Sequence, residues 1–151
     1  MIRISSTTLL VLAGLAAATP LLAAPVDTIR TRIAGYRELG AAFKAVNDGL
    51  RSGDPQPAAL QAAAQKIRSV SQQQYRWFPA GSGAAPGVRS KARSEIWTQG
   101  ARFKAAQDAF AAQAIVFERA SRTGNVEAIG AEARKLGGTC KGCHDNFRAS
   151  E

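Results

Sequence analysis

Apolar residues recur three and four positions apart in four stretches of the chain, the spacing that lines one side of an α-helix. The first stretch is Ile29, Ile33, Tyr36, Gly40, Phe43 and Leu50, and the second is Leu60, Ala63, Ile67 and Val70. The third is Ile96, Gly100, Phe103, Phe110, Ala114 and Phe117. The fourth is Val126, Ile129, Ala133, Leu136, Cys140, Cys143 and Phe147. Breakers fall between them. Gly53-Asp54-Pro55 separates the first pair, with Asp54 placed to cap the second helix. Gly124-Asn125 separates the last pair, Gly124 closing one helix and Asn125 capping the next. A longer connection over residues 76–93 carries Pro79, Gly81, Gly83, Pro86 and Gly87. Two short turns, one crossover and four helices of about twenty residues predict an all-α, antiparallel four-helix bundle. No alternating strand pattern or internal repeat competes with it. A composition rich in Ala, Gln, Lys, Arg and Glu also favours helix.

A chain of 151 residues suits one domain. Its start reads differently from the rest. Met1-Ile2-Arg3 is a positive opening, Leu9 to Leu15 a short apolar run, and small alanines follow to Ala23-Ala24. This layout predicts a signal peptide over residues 1–23, cleaved near Ala23 or alternatively near Ala18. The apolar run is short for a bilayer, which leaves an uncleaved anchor as the lesser reading. The bundle domain, residues 24–151, is then expected in the periplasm with no membrane span of its own. The net charge of +9 falls by one unit when Arg3 leaves with the leader. In an exported chain with scattered basic residues, this reads as a solvated surface rather than a nucleic-acid site. Attraction to acidic redox partners or anionic surfaces remains open.

The two cysteines lie in Cys140-Lys141-Gly142-Cys143-His144, a sequence for covalent attachment of one haem c. Residues three apart share a helix face, so both sulfurs point the same way from the fourth helix, as two thioether bonds to one macrocycle require. His144, four after Cys140, is the axial iron ligand. The alternatives explain less. A thioredoxin-like pair belongs at a helix N-terminus after a strand, and this pair lies late in a terminal helix. A zinc site needs about four ligands, and a disulfide across three residues would staple almost nothing. The haem propionates would offset part of the positive charge.

The far side of the iron is decided by what the chain lacks. His144 is its only histidine, and its only methionine is Met1. Neither bis-His nor His/Met ligation can therefore be built from the mature chain. A lysine, a tyrosine or the new N-terminus remains, and each is a poor ligand while protonated. The expected state is five-coordinate, high-spin iron with an open distal position.

With these residues in view, the chain resembles cytochrome c′, the class II c-type cytochromes. The likeness covers essentially the whole mature chain. It is carried by Cys140-Lys141-Gly142-Cys143-His144-Asp145-Asn146-Phe147-Arg148, by Glu95-Ile96-Trp97 with Phe103, and by Thr31-Arg32-Ile33-Ala34-Gly35-Tyr36. The resemblance implies that Arg32 pairs with a haem propionate and that Tyr36, one turn on, covers the sixth iron position. A shifted register would put Arg37 and Ala41 in these roles, but Arg32 aligns Gly40 and Phe43 better. Ile33 stands where the family often has glutamine, and Ser94 where proline usually precedes Glu-Ile-Trp. Glu95 is implied as a propionate-side contact, and Arg148 as the basic residue on the proximal face. The resemblance also implies a homodimer through the first two helices.

Two functions follow as expectations. One is reversible binding of NO or CO at the open iron; the other is periplasmic electron transfer. A low-spin class II carrier with a weak internal sixth ligand is the alternative. An enzymatic role is not expected: a peroxidase would need a distal acid–base residue, and there is no second histidine to supply it.

Overall fold

The computed structural model describes residues 25–150, and the leader expected over residues 1–23 lies outside the described residues. Five helices follow: α1 Pro25–Arg51, α2 Pro57–Gln73, a short α3 Glu95–Thr98, α4 Gly100–Ser121 and α5 Val126–Phe147. The four long ones are those the periodicity predicts. Among the described residues no strand accompanies them, only isolated bridges between Ala85 and Val88 and between Ala92 and Arg148.

The start of α5 is as expected. Gly124 takes φ +69°, a left-handed value that favours glycine, and the Asn125 side chain accepts from the Ala128 N–H at 3.0 Å. The start of α2 differs. Gln56 is its N-cap and Pro57 opens the first turn, while Asp54 accepts from Gln56 Nε2 at 2.7 Å. Proline brings a helical φ and no N–H to the first turn, which lessens the need for a capping carboxylate.

The predicted third helix is broken in two. Gln99, at φ −122° and ψ 44°, separates α3 from α4, and Gly100 is exposed rather than on the buried stripe. The two parts answer to different partners. Trp97 of α3 donates through Nε1 to Pro79 O at 3.1 Å and lies against Gly83, whereas α4 packs on α2 and α5. In α1, Gly40 is likewise exposed. The deeply buried positions there are Ile29, Arg32 and Val46.

Packing runs α1 on α2, α2 on α4 and α4 on α5; the α1–α5 seam is far sparser than these three. One end of the bundle is filled by a continuous core that includes Val46, Leu60, Ile67, Phe110, Phe117, Ile129 and Leu136. Each such side chain contributes about 1.5–3 kcal/mol through burial. A second, smaller cluster of Ile96, Phe103 and Phe147 closes the other end. Cys140 packs against the first cluster and Cys143 against the second, so the cysteines mark the boundary between them.

The crossover after α2 is tied at both ends. Near its start the Arg32 guanidinium donates to Trp77 O at 3.1 Å, Ser82 O at 3.0 Å and the Ser90 hydroxyl at 2.9 Å. At its end the Arg93 N–H donates to Phe147 O at 3.0 Å and the Ala149 N–H to Lys91 O at 2.9 Å. Trp77 seats directly on α1 at Gly35. A Cβ there would come 2.2 Å from both Cη2 and Cζ2 of the indole. Gly35→Ala gains about 1 kcal/mol of helix propensity but forces a buried indole to move, an overpacking cost of about 1–3 kcal/mol. We expect a net loss of about 1–2 kcal/mol in urea unfolding together with red-shifted tryptophan emission. Unchanged emission would show that the indole does not depend on this glycine.

Candidate haem site

Leu136, Cys140, Cys143 and Phe147 lie at helical spacing on the inner face of α5. Leu136 and Phe147 are buried, and the two thiols between them are half-buried. Burial pushes the Cys140 thiol up. The same cause, helped by Cys140 beside it, pushes Cys143 up to about 11. Both are therefore thiols rather than thiolates at neutral pH, free of any disulfide.

His144 lies just off that face, exposed at the edge of an open cleft of about 550 Å³ shared with Arg93, Asp145 and Arg148. Desolvation holds its pKa below the ordinary histidine value. Arg148 adds to this and Asp145 opposes it. The neutral imidazole, the form that binds a metal, is thus the favoured one.

Arg32, Ile33 and Tyr36 lie within two turns of one another on α1. Tyr36 is half-buried; its ring meets Trp77 edge-to-face at 5.0 Å and Phe78 at 6.2 Å. Burial raises its hydroxyl pKa above the ordinary tyrosine value. Cys143 and, more weakly, Cys140 raise it further, against a lowering by Arg32. Tyr36 is thus kept protonated as a phenol and is near enough to both thiols to feel them.

Arg32 is only 3% exposed, and among the described residues no carboxylate pairs with it. Carbonyls, the hydroxyls of Ser82 and Ser90, and the faces of Phe78 and Trp97 surround it, with the Phe78 centroid 4.8 Å from the guanidinium carbon. Neutral partners make this a buried cation whose charge is uncompensated. Ile33 beside it is half-buried.

Glu95 is engaged by Arg93 and by the Ser94 hydroxyl at 3.3 Å, and Arg93 holds its carboxyl below the usual range. Through Arg93 it joins the His144 side of the molecule. Arg148 lines the same cleft, and its N–H donates to His144 O at 3.1 Å.

The structure thus sets Cys140 and Cys143 on one face of α5, packs Tyr36 of α1 against Trp77 and Phe78 with Arg32 held under the crossover, and gathers His144, Arg93 and Arg148 at the cleft. Sequence reasoning missed Trp77, Phe78, Ser82 and Ser90, which come from the crossover, and Arg93. An adjacent Trp-Phe pair opening a Gly/Pro-rich segment was the available signal for the first two. This donor set fits a haem c. It offers two half-buried thiols on one helix face, a neutral imidazole beside them, an aromatic lining and a buried cation lacking a counter-anion.

The cytochrome c′ family model matches residues 27–148. Among relatives, cytochrome c′ of Rubrivivax gelatinosus is 41% identical over 68 residues, which cover 45% of this chain and 53% of that one. Cytochrome c′ of Rhodospirillum rubrum is 32% identical over 107 residues, 71% of each chain. Among solved structures, R. gelatinosus cytochrome c′ superposes with a TM-score of 0.76 at 29% identity, covering 82% of this chain and 96% of that one. A nitric oxide complex of a variant cytochrome c prime from Alcaligenes xylosoxidans gives 0.76 at 25% identity, covering 85% and 98%. A four-helix bundle with paired thiols on its last helix, matched by the family model over nearly all its described length, belongs to the cytochrome c′ family and carries haem c.

Proposed function

We propose that thioethers at Cys140 and Cys143 hold the haem, that His144 is its only protein axial ligand, and that the position beneath Tyr36 is open. The haem supplies an iron that can change oxidation state and accept a diatomic ligand. The observation that carries the open site is the placement of every rival ligand. All six lysines are exposed, as is Tyr75, whose hydroxyl donates to Asp108 at 2.8 Å. The mature N-terminus, near residue 25, lies about 16 Å along α1 from Tyr36. Tyr36 itself is held as a phenol.

The chain's own groups then define the role. Tyr36, Trp77 and Phe78 crowd the distal side with rings, which suits ligands such as NO and CO that need no strong hydrogen-bond donor. Arg32 offers its buried charge to a propionate. Ile33 adds apolar lining, Arg148 and Arg93 flank His144, and Glu95 orients Arg93. A periplasmic site is supported by the leader-like start. No helix among the described residues is long and apolar enough to cross a membrane. Electron exchange with a periplasmic partner is compatible with the same site. Homodimerisation through α1 and α2 is supported by exposed small residues such as Ala34, Ala41, Ala58 and Ala62.

The reduced protein is expected to show a high-spin spectrum whose Soret band shifts strongly on adding CO. Sharp, split α and β bands before any ligand is added would mean an internal sixth ligand and favour the low-spin carrier instead. Tyr36→Ala is expected to speed CO association by about tenfold or more, since it removes the group covering the site. An unchanged rate would place Tyr36 outside the pocket.

A further inference from the structure

A second cleft, of about 220 Å³, opens between the start of α1 and the crossover; Asp27, Thr28, Thr31, Arg76 and Trp77 line it. Thr28, Thr31 and Gly35 follow one another along α1 at helical spacing, and the cleft ends where the indole lies on Gly35. Trp77 therefore has two neighbours. One is this solvent-facing cleft. The other is the Tyr36 ring, met edge-to-face at 5.0 Å and 78°. The indole is only 5% exposed, and its backbone carbonyl is fixed by Arg32 at 3.1 Å. It is thus a thin partition between solvent and the distal side, anchored by its main chain and bearing on a position with no Cβ.

We propose that Trp77 is the gate through which small neutral ligands reach the site under Tyr36, and that its indole also positions the Tyr36 ring. This rests on the open-site reading above. A diatomic molecule entering the Thr28–Thr31 cleft needs the indole to swing away from Gly35, where the missing side chain leaves only a smooth helix surface against the ring. The main-chain bond from Arg32 keeps residue 77 in place while the side chain moves. Entry and Tyr36 orientation are therefore coupled, because one ring serves both.

The test is CO association and dissociation in the ferrous holoprotein by stopped flow and flash photolysis, for the parent, Trp77→Ala, Trp77→Phe and Thr31→Trp. Thr31 is exposed, so a tryptophan there fills the cleft without touching the core. We expect Thr31→Trp to slow association and dissociation alike by about fivefold and Trp77→Ala to speed both by about tenfold, because a gate alters the barrier in both directions and leaves the affinity within about twofold. Trp77→Phe should restore most of the parent rate. A second readout is independent of rate: in the diamagnetic CO form, the Tyr36 ring-proton NMR shifts should move in Trp77→Ala and return towards the parent in Trp77→Phe. Unchanged association in Thr31→Trp, in a protein that binds CO normally, overturns the gate alone. Unchanged Tyr36 shifts in Trp77→Ala overturn the positioning role. A parent that binds no CO sinks the open-site reading and the gate with it.

Discussion

Cys140→Ala/Cys143→Ala protein is expected to lose all of its haem to acidified organic solvent, under conditions in which the parent retains it through denaturing electrophoresis. These are the only two cysteines, and both sit half-buried on one α5 face. No other side chain can form the thioether bond. Each single substitution should keep covalent haem through the remaining sulfur, with a haemochrome spectrum shifted by the one unsaturated vinyl left. Stability should fall with the double change, because the α1–α5 seam is the sparse one and, on the proposed attachment, the haem would pack beside it. The large core around Phe117 and Ile129 lies towards the other end of the bundle, so helix content should survive. A fall in midpoint of about 10 °C corresponds to roughly 3 kcal/mol in a domain of this length. Retention of haem by the double variant in acid solvent would remove Cys140 and Cys143 from the attachment site.

Arg32→Leu is expected to cost about 3–4 kcal/mol in urea unfolding, the largest loss predicted for a single surface-to-core contact of the crossover. The substitution removes charge-assisted bonds at 2.9–3.1 Å to Trp77 O, Ser82 O and the Ser90 hydroxyl, and leaves the buried carbonyls without a donor. It also removes the cation from the Phe78 face. Relief from burying a cation that has no protein carboxylate beside it offsets part of this, which keeps the loss below the sum of the separate bonds. Arg32→Lys keeps the charge but not the planar fork that reaches four acceptors at once, and should recover less than half of the loss. Amide exchange should quicken over residues 77–90 in both variants while the α4–α5 amides stay protected. A loss below about 1 kcal/mol, with unchanged exchange, would show that the crossover is held elsewhere.

Haem attachment was legible because its chemistry is local. Cys140, Cys143 and His144 fall within five residues and continue the apolar stripe from Leu136, so one helix suffices to present them. The shortage of axial ligands was legible for the opposite reason: a chain with a single histidine and its only methionine at position 1 has few ligands to offer, whatever its fold. Family likeness singled out Arg32, but its present partners were not legible. Trp77, Ser82 and Ser90 lie 45 to 58 positions away on a segment with no period to read.

By itself, then, the sequence determined the four long helices, the turn at Gly124-Asn125, the paired thiols on one face of the last helix and the shortage of axial ligands. Each depends on spacing, on local backbone preference or on residue inventory, and none needs a distant partner. Tertiary structure alone decided the rest. It broke the third helix at Gln99, because α3 bonds to the crossover and α4 to the bundle. It transferred the start of α2 from Asp54 to Gln56 and Pro57. It left the α1–α5 seam sparse, set Trp77 on Gly35, and placed Tyr36 against Trp77 and Phe78. These outcomes follow from which surfaces meet, a competition between long-range contacts that periodicity along one helix does not record.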